Sequence, residues 1–196
     1  MPRRPRPLLP FALACAACST AGGAPRDLAD VLAAAPADAP VRLRLDGDRV
    51  TGVAVAGGPG LLTAAAKLSL EAVAPRGELR FAGREWGPRG EGVRVEKRYR
   101  GEDTVEHDRS VLLADDGTVL ERDHTVPIPD VPQHVLAAAL RVGTTIDEAR
   151  IVSGREREEF WRLLVRDRGG REFVVTVALD GRMLGCERRL AARVDG

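Results

Sequence analysis

From Val41 onward, apolar and polar residues alternate along most of the chain, the period of a strand with one buried face. Three stretches share one design: an alternating run, an Asp-Gly pair, and a second run. They are Val41–Leu45, Asp46-Gly47, Asp48–Val55; then Val105–Asp115, Asp116-Gly117, Thr118–Val126; then Glu172–Leu179, Asp180-Gly181, Arg182–Leu190. Asp-Gly between alternating hydrophobics predicts a hairpin, because the turn needs positive φ. Taking Asp180-Gly181 as a two-residue turn sets Val177 opposite Leu184 and Val175 opposite Cys186. One face then gathers Phe173, Val175, Val177, Leu179, Leu184, Cys186 and Leu190, a core face on which Cys186 is a small buried hydrophobe. The same face of the second hairpin carries Val105, His107, Arg109, Val111, Leu113, Leu120, Arg122, His124 and Val126, apolar near the turn and polar further out.

The period lengthens at Leu61–Val73 and Val131–Val142, both rich in Ala and Leu, and these segments predict helices. Further strands are expected at Glu78–Arg84, Gly92–Arg100, Thr145–Ser153 and Glu158–Asp167. The second and third hairpins lie 64 residues apart, and Val111, Ala114, Asp116, Gly117 and Leu120 recur as Val175, Ala178, Asp180, Gly181 and Leu184. The expected class is α+β: two tandem units, each a helix packed on a four-stranded antiparallel sheet, with an extra N-terminal hairpin. The boundaries are 1–17 for a leader, 18–40 for a tether with a short helix at Asp27–Ala35, 41–56 for the hairpin, and 60–127 and 130–194 for the units.

A helix starting near a proline, then strands ending in Val-x-Val-x-x-Asp-Gly-x-x-Leu, resembles the PepSY-like domain family, which shares a β-lactamase-inhibitor-protein-like fold. The clearer match is Asp130–Arg189, above all Val175–Leu184 (VTVALDGRML). Leu61–Val126 is a more divergent copy. The resemblance implies a small extracytoplasmic module without catalytic residues that binds peptides or modulates other proteins.

The first twenty residues change the picture from fold to location. Arg3, Arg4 and Arg6 precede a short apolar run from Leu8 to Ala17, and small residues surround two cysteines. This is the layout of a bacterial secretory leader. Cys18 after Ala16-Ala17 is the preferred acylation site, with Cys15 after Leu13-Ala14 as the alternative, and a plain cleavage after Ala14-Cys15-Ala16 as a further reading. The expected location is the cell envelope, lipid-anchored and extracytoplasmic, on the outer membrane facing the periplasm. Several acyl chains, at about 0.8 kcal/mol per buried CH₂, suffice to hold such a protein.

Composition narrows the function. The formal charge is +1, and removing the leader subtracts three arginines, so no basic excess remains to attract nucleic acid. All but Lys67 and Lys97 of the 30 basic residues are arginine, Asn is absent and Gln133 is the only Gln. That is a GC-rich codon bias, and it assigns the arginines to a solvated surface. Ser19, Ser69, Ser110 and Ser153 lie in no nucleophile elbow, and Gly57-Gly58-Pro59-Gly60 is a linker rather than a phosphate loop. The paired carboxylates Asp115-Asp116, Glu102-Asp103 and Glu158-Glu159 fall at turns and strand starts, where solvated charge is ordinary. No catalytic set and no cofactor are expected.

The candidate binding residues are Trp86, Tyr99 and Trp161, flanked by Arg84, Arg94 and Arg162. Phe160 and Trp161 are adjacent, so one faces the core and the other an open sheet face, where an exposed tryptophan could anchor a partner. The expectation is a non-catalytic lipoprotein that binds an envelope protein or peptide. Two alternatives stand beside it: a metal-binding envelope enzyme or accessory protein using His107 and His124, and a purely structural lipoprotein.

Overall fold

Alternation along the strands does not say which face is wet, and here the answer is unusual. In the computed structural model, which describes residues 31, 35–88, 90–101, 106–155 and 158–193, ten strands close into one antiparallel barrel. They are β1 (Pro40–Asp46), β2 (Arg49–Ala56), β3 (Glu78–Gly87), β4 (Gly90–Arg100), β5 (Glu106–Leu113), β6 (Val119–Thr125), β7 (Thr145–Gly154), β8 (Glu159–Arg166), β9 (Glu172–Ala178) and β10 (Met183–Arg193). Each strand pairs with its sequence neighbour, and β1 pairs with β10 to close the ring. Two helices interrupt the meander: α1 (Ala64–Val73) between β2 and β3, and α2 (Gln133–Ala139) between β6 and β7.

This overturns the expected class. The chain is not two helix-on-sheet units in tandem, and the PepSY-like resemblance does not extend to the fold. The reason lies in two ladders. Strand β6 pairs with β7 from Glu121↔Gly154 to Thr125↔Arg150, joining the supposed units edge to edge. The N-terminal hairpin is not an added edge but the clasp: β1 meets β10 from Pro40↔Arg193 to Leu45↔Arg188 and meets β2 on its other side. Closure gives each of the ten described strands a hydrogen-bonded neighbour on both sides.

Apolar packing sits on the outer wall. Val135, Ala138 and Ala139 of α2 cover Ala149, Trp161, Leu163, Val165, Val175 and Val177. Ala66 and Leu70 of α1, with Leu62 and Ala74, cover Val93, Val95, Val111 and Leu113. Val31 and Ala39 cover Val41, Val53 and Val55. The strand faces that alternation marks as apolar are therefore outer faces, each covered by the chain's own helical or N-terminal segment. Glu121, Asp123, Arg94 and Glu85 are buried on the opposite faces.

Local signals fix the elements. Thr63 caps α1: its Oγ1 accepts from the Ala66 amide at 3.1 Å and donates to the Asp115 carbonyl at 2.7 Å, tying the helix to the β5–β6 turn. In the β9–β10 turn the Gly181 amide donates to the Ala178 carbonyl and the Ala178 amide to the Arg182 carbonyl, with Gly181 at φ 88°. That is a three-residue turn with a glycine bulge, not the expected two-residue turn. It places Val177 opposite Met183, and a second irregularity then restores Val175 opposite Cys186. Leu179 and Leu184 are consequently exposed rather than core. The leader, Cys15, Cys18, Glu102-Asp103, Val105 and all of the Asp27–Ala35 helix except Val31 and Ala35 lie outside the described residues.

Candidate functional site

A ten-stranded barrel is wider than the eight-stranded kind whose interior side chains just fill. Here long charged side chains share the interior with buried Leu112, Val152 and Phe160. Arg94, 6% exposed, is the hub. Its Nε and Nη2 donate to the two Glu85 oxygens at 2.8 and 3.0 Å, Nη2 also reaches Glu121 at 2.7 Å, and Nη1 donates to Ser110 at 3.0 Å. Glu121, 1% exposed, accepts a second fork from Arg162 at 2.9 and 2.8 Å. Glu85 takes a further bond from Arg44 at 2.9 Å. Asp123 accepts from Arg150 at 2.6 Å, and Arg150 also donates to Glu148. These residues come from β1 and from β3 through β8, so the network braces the barrel across its width.

At Glu121, Glu85, Arg94 and Arg162 pairing outweighs burial. Burial alone would raise the Glu121 carboxyl, but Arg94 and Arg162 outweigh it and hold the group far below the carboxylate range. Glu85 is lowered in the same way, burial opposing and Arg94 and Arg44 prevailing. Arg94 and Arg162 are pushed up despite burial by the same carboxylates. Bidentate pairing satisfies the lone pairs and N–H groups that a buried ion pair must satisfy to be tolerated.

Two cavities open on either side of this layer, and Arg44 and Arg162 line both. The first, about 320 Å³, lies toward the strand ends that lead into the helices and is walled by Arg42, Glu96, Asp108, Glu148, Arg150 and Arg189, with Phe81, Leu164 and Val174 as apolar neighbours. The second, about 540 Å³, lies toward the hairpin turns, among Asp46, Thr51, Phe160, Thr176 and Glu187. Glycines make room for the lining. A Cβ at Gly52 would stand 2.7 Å from the Arg44 Nε, and one at Gly83 would stand 2.4 Å from the Phe81 ring. The Arg42 guanidinium in turn lies 4.3 Å from the Phe81 ring centroid.

The six residues expected to form a binding patch do not share a surface. Trp161 is buried under α2 at 7% exposure, so it anchors nothing outside. Phe160, its neighbour, faces the lumen. Trp86 is half-buried beside the Val41–Val53 cluster. Arg84 pairs with Asp115 at 2.9 Å on the outer wall. Tyr99 stacks on His107 at 5.5 Å, with Arg109 at 5.0 Å from its ring. Arg94 and Arg162 belong to the interior network, which corrects their assignment to a solvated surface.

His107 and His124 share the outer face with Arg109, which is directly opposite His124. Burial and then Arg109 lower the His124 pKa. Among the described residues, no group of three or more His, Cys, Asp or Glu is placed to hold a metal ion. Asp108 and Asp123, next to the histidines in sequence, point inward: Asp108 pairs with Arg98 at 2.7 and 3.0 Å. Cys186 is half-buried against the α2 cluster, and burial, then Asp46 and Glu187, raise its thiol pKa.

Sequence reasoning missed Arg42, Arg44, Glu85, Glu96, Glu121, Asp123, Glu148, Arg150 and Arg189 as a set. A signal was present: charges at alternate positions in Arg42-x-Arg44, Arg94-x-Glu96, Glu121-x-Asp123 and Glu148-x-Arg150. Alternation alone reads such a face as solvent-exposed, and only closure turns it inward.

No protein-family model matches the chain. No curated protein matches it either. Among solved structures, a candidate periplasmic protein from Bacteroides eggerthii DSM 20697 is similar at 11% identity, covering 65% of this chain and 88% of its own, with a TM-score of 0.49.

Proposed function

We propose that this chain is a non-catalytic binding barrel of the bacterial cell envelope. It is exported by the Arg3/Arg4/Arg6 leader, anchored through Cys18 or, alternatively, Cys15, and takes a small molecule or a peptide end into its lumen. The observation that carries this reading is the cavity of about 320 Å³ walled by fixed charges and an apolar side. Its volume sits at the lower end of the ~300–1,000 Å³ range of small-molecule sites, which combine an apolar lining with a few placed polar groups. A protein that served only as an envelope strut would gain more from an interior packed with apolar side chains. The binding role expected from the sequence is retained, and its place moves from an outer aromatic patch to the lumen.

The test is native mass spectrometry of the protein purified from envelope, followed by release of anything bound. The comparison is a Val174→Trp variant, which puts an indole into the cavity. A discrete mass retained by the parent chain and absent from a folded Val174→Trp variant supports the reading. Identical spectra from both, with no retained mass, overturn it.

A further inference from the structure

We infer that the lumen ligand carries a carboxylate and that Arg189 receives it. This inference rests on the lumen reading above. Three arginines stand together on one wall of the first cavity. Arg44 and Arg189 are directly opposed in the β1–β10 ladder, and Arg42 follows on the same face of β1. Like charges directly opposite each other destabilise a sheet, so the arrangement needs compensation. Arg44 finds it in Glu85 at 2.9 Å and Arg42 in Glu96 at 2.7 Å. Arg189 does not: among the described residues its ion pair is with Glu172 at 3.9 Å, with no hydrogen bond. Its side chain is 28% exposed and lines the cavity.

The acidic wall is in the opposite condition. Asp108 is forked by Arg98, and Arg150 bonds both Asp123 and Glu148. The unfilled valence of the lumen is therefore positive. A guanidinium presents a planar fork that fits carboxylate and phosphate alike. The remaining lining decides between them. Glu85, Glu96, Asp123 and Glu148 border the same cavity, and a dianion would meet their repulsion at close range and low dielectric, whereas a monoanion meets half of it. Phe81, Leu164 and Val174 give the body of the ligand an apolar bed. A small organic acid and the C-terminus of a short peptide share this chemistry.

The experiment is calorimetric titration of the purified barrel at fixed ionic strength with benzoate, N-acetyl-dialanine, the amide of that peptide, inorganic phosphate and diaminobutane. Saturable binding of benzoate or the free-acid peptide is expected, with loss on amidation. Benzoate alone would mark a small acid as the source, and tighter binding of the free-acid peptide would mark a peptide end. Arg189→Ala is expected to weaken carboxylate binding about tenfold or more, the loss of one charge-assisted pair, and Arg189→Lys to restore part of it. Arg188→Ala, on the exposed outer face, is expected to change nothing. Phosphate binding more tightly than either acid, or carboxylate binding unaffected by Arg189→Ala, overturns the assignment. Saturable diaminobutane binding without any acid binding overturns it while leaving the lumen reading standing. No binding of any probe removes both.

Discussion

At the scale of single residues, Glu121 is the position on which most rests. At 1% exposure it joins two guanidinia from β4 and β8. Glu121→Gln removes the charge that both arginines face and leaves them under-compensated inside the barrel. The expected cost is about 3–5 kcal/mol, the range for breaking a buried pair, read by urea unfolding. The pH dependence follows from the same groups. Glu121 and Glu85 have folded pKa values lowered from 4.5. Their contribution is complete above the unfolded carboxylate pKa and is lost as pH falls through the folded values. The unfolding temperature is therefore expected to drop as the solution is acidified below about pH 4.5, the unfolded carboxylate range, and to drop less steeply in Glu121→Gln. An equal slope in both proteins would remove Glu121 from this account.

The elements depend on what covers their outer faces. Leu70 of α1 is 5% exposed against the β4–β5 wall, while Leu68, two positions earlier, is 75% exposed. Leu70→Ala is expected to cost about 2–5 kcal/mol, and Leu68→Ala to fall within about 0.5 kcal/mol of the parent. Equal costs for the two would mean that α1 does not dock in this orientation. Thr63→Ala should cost about 1 kcal/mol through the lost cap, and more if the bond to the Asp115 carbonyl contributes. The element scale is also where the sequence was most legible. Alternation places all ten strands close to where they lie. The Ala- and Leu-rich runs mark α1 and α2, although the helices are shorter at Ala64–Val73 and Gln133–Ala139 than the expected segments. The turns were legible as Asp-Gly but not as turn types. Gly117 and Gly181 take positive φ of 86° and 88° as bulges, and that extra residue decided which leucines became exposed.

For the whole molecule, closure is the feature to test. If β1 and β10 pair as described, their amides are protected on both sides like those of any other strand. Hydrogen exchange is expected to show protection in β1 and β10 comparable to that in β4 and β5. Fast exchange confined to the outward row of amides on β1 or β10 is the signature of an open sheet and would contradict the barrel. The lumen depends on the same closure. Opening the β1–β10 ladder would part Arg189 from Arg44 and Arg42, which stay with β2, β3 and β4.

The sequence by itself determined the secondary structure, because hydrophobic period, turn glycines and cap residues act over a few positions. It also carries the pattern expected of a secretory leader, a local arrangement of charge, apolar run and small residues. It did not determine that the two halves share one sheet. The matching hairpins 64 residues apart fit a pair of units as well as they fit a ring, and the ladders β6–β7 and β1–β10 are choices between remote edges. Nor did it settle which face of each strand is the inside. A row such as Glu121-x-Asp123 has the same pattern on a wet surface as in a lumen. Only the continuous sheet, joined at β6–β7, brings Arg162 of the second half within bonding distance of Glu121 of the first. There, away from water, pairing is what makes the charge tolerable.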